Sequence, residues 1–193
     1  MKSLSKTPVT PGQAGAIARL HFGQPLASFE ELSDGYFNAA YRLELDDGGI
    51  YVLKVAPPSE VRVLRYERDI MQAEVGALRL VRDRTEMPVP QVHAYDSSRD
   101  ILASDYFIMD FIPGVSFWNL REKLSEADQQ AIERESAGYL RQMNEIRGES
   151  FGYFADPARF SNWPDCFDYM LQGVLQDGQD ADVSLPLAYT DIL

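Results

Sequence analysis

The chain has 193 residues, 45% of them hydrophobic, enough for one domain or two small lobes with a proper core, and this excludes a disordered chain. Its net charge of −12, with acidity thickening toward Asp165, Asp168, Asp177, Asp180, Asp182 and Asp191, excludes the clustered lysines and arginines that nucleic acid requires. The single cysteine, Cys166, excludes an intramolecular disulfide and a cysteine metal site, and charges such as Asp105 and Asp110 break every apolar stretch below the ~18 residues of a membrane helix.

Taken in chain order, Thr10 followed by Pro11 predicts the cap and first turn of a short helix reaching about Leu20. Strands come next. Residues 29–33 form a short one, 40–45 alternate in and out, Asp46-Asp47-Gly48-Gly49 supplies a hairpin turn, and 50–55 return antiparallel until Pro57 and Pro58 end the pairing. A helix is predicted within 59–83, where Ile70, Met71, Val75, Leu78 and Val81 recur at helical intervals. The prolines of MPVPQVHAYD (87–96) stop a helix before a strand at about 91–95, and SDYFIMDFIPG (104–114) is a further strand ending in a Pro-Gly break.

After Gly114 the pattern turns helical. Ser125 with Asp128 is a capping-box-like start for a helix carrying Ile132, Leu140, Met143 and Ile146 and ending near Gly148. Ser161 and Pro164 open another with Trp163, Phe167, Leu171 and Val174 on one face, and residues 184–193 begin a new pattern. The expected organisation is a lobe over 1–114 and a helical part over 115–193. The N-terminal MKSLSKTPVTPGQ has no apolar core of signal-peptide length, so the expected location is cytoplasmic. The C-terminal acidity reads as a solubilising surface, with a cationic partner as the other reading, and Asp177, Asp180 and Asp182 lack the glycine and terminal glutamate of a calcium loop.

Two charges stand where neither belongs. Lys54 lies within the apolar run IYVLKVAP, sharing a strand face with Val52, while Tyr51, Leu53 and Val55 face the other way. Glu74 is three residues after Met71 and four before Leu78, on their helical stripe. A buried charge without a partner costs roughly 3–5 kcal/mol. An ion pair between Lys54 and Glu74 removes that cost; so does a Lys54 that snorkels to water with Glu74 on a nearby arginine such as Arg79, and Glu67 is a rival carboxylate one heptad earlier.

Lys54 on the third strand, Glu74 on the following helix and a five-strand sheet closed by SDYFIMDFIPG together resemble the small lobe of the protein-kinase-like fold. The turn SDGYFNAAYRLEL (33–45) lacks the G-x-G-x-x-G of protein kinases and is similar to the shorter nucleotide loop of the aminoglycoside phosphotransferase and choline kinase family, as is the proline-bearing MPVPQVHAYD. The resemblance implies an α+β fold: a five-stranded antiparallel sheet plus helix, followed by an incomplete helical large lobe. It implies a cofactor, ATP with Mg²⁺, and a small-molecule hydroxyl as acceptor. Lys54 would contact the α- and β-phosphates and Glu74 would hold it. Ser33, Asp34, Gly35 and Asn38 would fold over the phosphates, although the same residues also suit a plain β-turn. Met109 would guard the back of the adenine pocket, with the Asp110 carbonyl and the Ile112 N–H on the adenine edge; without the family, residues 106–112 are a buried strand and its break.

One part of the family pattern is missing. Phosphoryl transfer there uses an H-x-D-x-x-x-x-N loop and a downstream metal-binding aspartate. His21 is followed by Phe22-Gly23 and His93 by Ala94-Tyr95, so neither opens that loop. The expectation is the nucleotide-binding part of a C-terminally truncated phosphotransferase, inactive alone, with no catalytic or metal residue of its own. The alternative is a non-catalytic nucleotide-binding or protein-interaction module. Self-association through exposed helix faces around Trp163, Phe167 and Leu171 is also expected.

Overall fold

The computed structural model describes residues 6–32 and 38–192. Helix α1 (Pro11–Phe22) starts where the sequence places it: the Thr10 hydroxyl accepts from the Gln13 N–H at 3.3 Å and the Gln13 side chain accepts from the Thr10 N–H at 3.0 Å, closing a capping box. It runs two residues beyond Leu20 and ends where Gly23 takes a left-handed φ of 68°, a conformation a side chain would resist.

Five strands follow: β1 (Leu26–Leu32), β2 (Ala39–Leu45), β3 (Ile50–Val55), β4 (Val92–Asp96) and β5 (Tyr106–Asp110). They form one antiparallel sheet in the order β1-β2-β3-β5-β4. In the hairpin between β2 and β3, Leu45 donates its N–H to the Gly49 carbonyl at 2.9 Å while Gly48 sits at φ 87°. The alternation in β2 is complete, with Ala39, Tyr41, Leu43 and Leu45 buried and the residues between them half-buried. Ala39, Tyr41 and Leu43, with Leu53 and Val55 of β3 and Tyr106 and Ile108 of β5, form a core cluster together with Ala14 and Ile17 of α1. Fully burying one such Leu or Ile contributes about 1.5–3 kcal/mol.

Helix α2 (Ile70–Arg84) begins later than the periodicity from residue 59 predicts. Ahead of it lie a single 3₁₀ turn at Arg65–Glu67 and Asp69 at φ 54°. Two hydrogen bonds hold this stretch out of the helix: Glu67 accepts from the Leu64 N–H at 2.8 Å, and the Arg65 N–H is donated to the sequence-distant Asp177 at 2.8 Å rather than to a helical carbonyl. Beyond β5 come the short α3 (Phe117–Leu120), α4 (Glu126–Glu145) and α5 (Trp163–Asp180). Ser125 caps α4 by accepting from the Asp128 N–H at 3.2 Å, whereas α5 is capped by Asn162, one residue past the expected Ser161.

The strand order and the helix between β3 and β4 give the α+β class expected of a kinase-like small lobe. By compactness the chain divides into one unit of Met1–Val61 with Ala77–Ile146 and another of Arg62–Gly76 with Arg147–Leu193, so each unit draws on two stretches of sequence. Among the described residues no helix is long and apolar enough to cross a membrane.

Candidate functional site

Strand β3 lies between β2 and β5, so both of its edges are hydrogen-bonded and its residues are fixed in register. Lys54 stands opposite Ala40 on one side and Phe107 on the other; Val52 stands opposite Arg42 and Met109. Opposed residues of an antiparallel pair share a face. Lys54, Ala40, Arg42, Val52, Phe107 and Met109 therefore occupy the sheet face away from the core of Tyr41, Leu43, Leu53 and Ile108. Lys54 is half-buried, and its ammonium lies 5.7 Å from the Phe107 ring centre, a cation–π contact of about 0.5–1 kcal/mol at a partly exposed position. At the far end of the same face, the Arg42 guanidinium is 5.6 Å from the Phe111 ring and bonds Glu44 at 2.8 Å.

The other sequence-predicted residues divide. Met109 joins Lys54 on this face. Asp110 stands opposite Tyr51, so its side chain belongs to the opposite face, and Ile112 lies past the strand end, 60% exposed. Asn38 immediately precedes β2, and its side-chain oxygen is buried without a hydrogen-bond partner among the described residues. Ser33, Asp34 and Gly35 fall outside the described residues. Glu74 is half-buried on α2, on the stripe of the buried Met71 and Val75, and belongs to the second unit. Its rival Glu67 is occupied locally by the Leu64 N–H.

The Asp110 carboxylate is held from β4 by two donors: His93 Nε2 at 2.6 Å and the Gln91 N–H at 2.8 Å. Burial pushes its pKa up, but these hydrogen bonds, with the nearby charges of His93 and Arg82, outweigh burial and keep it below the usual carboxylate range. Sequence reasoning did not find the His93 contact.

Nor did it find that Asp177, one of the acidic C-terminal residues, is buried. Asp177 is buried and accepts from both the Arg65 N–H and the Arg65 guanidinium, while Asp180 takes the other guanidinium nitrogen at 2.7 Å. The Arg65 hydrogen bond holds the Asp180 pKa below its usual range. Asp177 is thus an internal partner, while Asp165, Asp168, Asp180, Asp182 and Asp191 are exposed; Asp177 lies eleven residues after the buried Cys166, three helical turns along the same stripe. Beside them the second unit holds a cavity of about 340 Å³ lined by Arg65, Tyr66, Tyr153, Asp156, Tyr169 and Asp177. There the Tyr169 hydroxyl donates to Asp156 at 2.7 Å, and the Tyr66 and Tyr153 rings lie 6.2 Å apart.

No three His, Cys, Asp or Glu side chains among the described residues converge as metal ligands.

Residues 28–184, most of the chain, match the phosphotransferase enzyme family (APH). The chain is 29% identical over 96 residues to the altered inheritance of mitochondria protein 9, mitochondrial, of Yarrowia lipolytica, an alignment covering 46% of this chain and 16% of that protein. Solved structures that resemble it include a protein assigned as a fructosamine-3-kinase from Thermobifida fusca YX-ER1, at 22% identity and TM-score 0.40, covering 53% of this chain and 32% of that one. Another is a protein assigned as an aminoglycoside phosphotransferase from Ralstonia eutropha JMP134, at 25% identity and TM-score 0.36, covering 55% and 29% respectively. In each case the match spans less than a third of the relative's own length.

Proposed function

The chain belongs to the phosphotransferase enzyme family, and on that premise we propose that its sheet carries the nucleotide-binding part of an ATP-dependent phosphotransferase acting on a small-molecule hydroxyl. The observation that supports this most is Lys54: a half-buried cation on a middle strand, on the sheet face opposite Tyr41, Leu43, Leu53 and Ile108, beside the buried Val52 and Phe107. Ala40, Val52 and Met109 on that face offer a small and apolar floor suited to a purine, and Lys54 supplies fixed positive charge for the α- and β-phosphates. Asn38, Ser33 and Gly35 are assigned to the phosphate turn, and the backbone of Asp110 and Ile112 to the adenine edge. ATP itself supplies the transferable phosphoryl group; this chain's residues bind and orient it. In the same reading the lobe is 1–114, the helical part is 115–193 and the location is cytoplasmic.

A second reading, a nucleotide-binding or protein-interaction module without transfer activity, is favoured by one specific observation. Neither His21 nor His93 begins an H-x-D-x-x-x-x-N sequence, so no proton transfer to or from the acceptor hydroxyl is assigned to a residue of this chain.

Calorimetric titration of Mg²⁺-ATP into the purified chain tests the common core of both readings. Saturable binding is expected, weakened about 10–100-fold in Lys54→Ala through loss of a charge-assisted contact of about 1.5–3 kcal/mol. A folded protein that binds no nucleotide, or a Lys54→Ala variant with undiminished affinity, would refute it.

A further inference from the structure

We infer that His93 and Asp110 form a positioning pair that fixes the backbone edge at the end of β5 for the base of the nucleotide, an inference that rests on the nucleotide reading above. Strand β4 pairs with β5 through Val92 opposite Met109 and Ala94 opposite Ile108, so the register shifts and His93 is the extra residue of a bulge. A bulge gives up a ladder pairing and re-aims a side chain. Here the re-aimed side chain is His93, which reaches Asp110 Oδ1 at 2.6 Å.

Asp110 is the last residue of β5, and three hydrogen bonds hold it to the β4 side. Besides the His93 contact, Gln91 donates its N–H to Asp110 Oδ2 at 2.8 Å, and Asp110 donates its own N–H to the Gln91 carbonyl at 3.0 Å. An ionised carboxylate only accepts, so His93 Nε2 carries the proton. The imidazole is oriented from its other sides by rings: Tyr51 meets it edge-on at 5.0 Å between centroids, and Phe22, stacked on Tyr51 at 4.2 Å, lies 5.9 Å away. Arg82 is the additional charge near Asp110, and it bonds the Gln91 side chain at 3.1 Å.

The division of faces gives the pair its meaning. Lys54, Val52 and Met109 take one face, while the Asp110 side chain takes the other, where no nucleotide atom would meet it. Its effect on a ligand therefore passes through the main chain, immediately before the segment from Phe111 to Gly114, in which Ile112, Pro113 and Gly114 are exposed. An edge in place for only a tenth of the time weakens the apparent affinity for the base about tenfold, while the phosphates, held at Lys54, are unaffected.

The test separates base from phosphates. Mg²⁺-ATP and Mg²⁺-tripolyphosphate, which has no base, are titrated calorimetrically into the wild type, His93→Leu, His93→Gln and Asp110→Asn. The wild type is expected to prefer ATP. His93→Leu should lose ATP affinity by about tenfold while its tripolyphosphate affinity stays within about twofold, and His93→Gln, which keeps an N–H donor, should recover much of the loss. Asp110→Asn carries the same expectation and replaces His93→Leu if that variant does not fold. A merely structural role would lower the melting temperature without separating the two ligands. A folded His93→Leu with wild-type affinity for ATP, or equal losses for ATP and tripolyphosphate, overturns the positioning role and leaves the nucleotide reading standing. A wild type that binds neither ligand overturns both.

Discussion

The sheet and the two long helices after it are built from similarly apolar patterns and reach opposite outcomes. In β2, β3 and β5, Leu43, Leu53, Val55, Phe107 and Ile108 are fully buried. In α4 no residue is buried, and its apolar Leu140 is 53% exposed; in α5 only Cys166 and Asp177 are buried, while Trp163 and Phe167 are half exposed. Periodicity reports which residues share a face, not whether anything covers it. The proposed chemistry lies where the pattern is broken, at Lys54 on an otherwise apolar strand.

The largest effect that sharpens this contrast is core truncation. Leu53→Ala should destabilise the fold by about 2–5 kcal/mol in urea titrations, against no more than about 0.5 kcal/mol for Leu140→Ala on α4. Equal losses would show that α4 is as buried in solution as the sheet. A smaller effect comes from acid. Asp110 and Asp96 have folded pKa values below the ordinary 3.8, Asp96 through hydrogen bonds from Ser98 and Tyr106, so the stability they contribute is present above that value and is lost as pH falls through their folded values. His21 adds to the same trend from a higher pH: burial lowers its pKa from 6.5, so the unfolded chain takes up the proton first and stability declines as pH drops below that value. Melting temperature followed from pH 7 to 3 should therefore fall, with a smaller acid-limb loss in Asp110→Asn.

The second unit should respond to a single buried carboxylate. Asp177→Ala removes the acceptor of the Arg65 N–H, and hydrogen exchange at the Arg65 amide should speed up while that at Leu53 is unchanged. The smallest stability effect is expected at the exposed aromatics. Trp163→Ala with Phe167→Ala should alter stability by less than about 1 kcal/mol in total yet reduce self-association measured by light scattering. A wild type that is monomeric at all concentrations would remove the self-association proposal.

Much of the sheet was legible because its signals are local: period-two alternation in 40–45, the Asp46-to-Gly49 turn, and prolines at 57, 58, 88 and 90. The same count put Lys54 and Val52 on one face, whereas Met109 joins them only through the β3–β5 register. The start of α2 was not legible, because it depends on Asp177 taking the Arg65 amide, 112 residues away in sequence. Nor was the His93–Asp110 contact, since an alternating count cannot anticipate a bulge that adds one residue to β4. Asp177 was legible in principle from its phase with Cys166, and was missed because acidic residues near a terminus read so readily as surface.

The most direct measurement of the central claim is methyl NMR during titration with Mg²⁺-ATP. If the face of Lys54 holds the nucleotide, the methyl signals of Ala40, Val52 and Met109 shift in a saturable way while those of Leu43, Leu53 and Ile108, on the opposite face, stay nearly fixed. Saturable shifts confined to Met170 and Val174 beside the Tyr153 cavity, or no shift on the Lys54 face at saturating nucleotide, would contradict it.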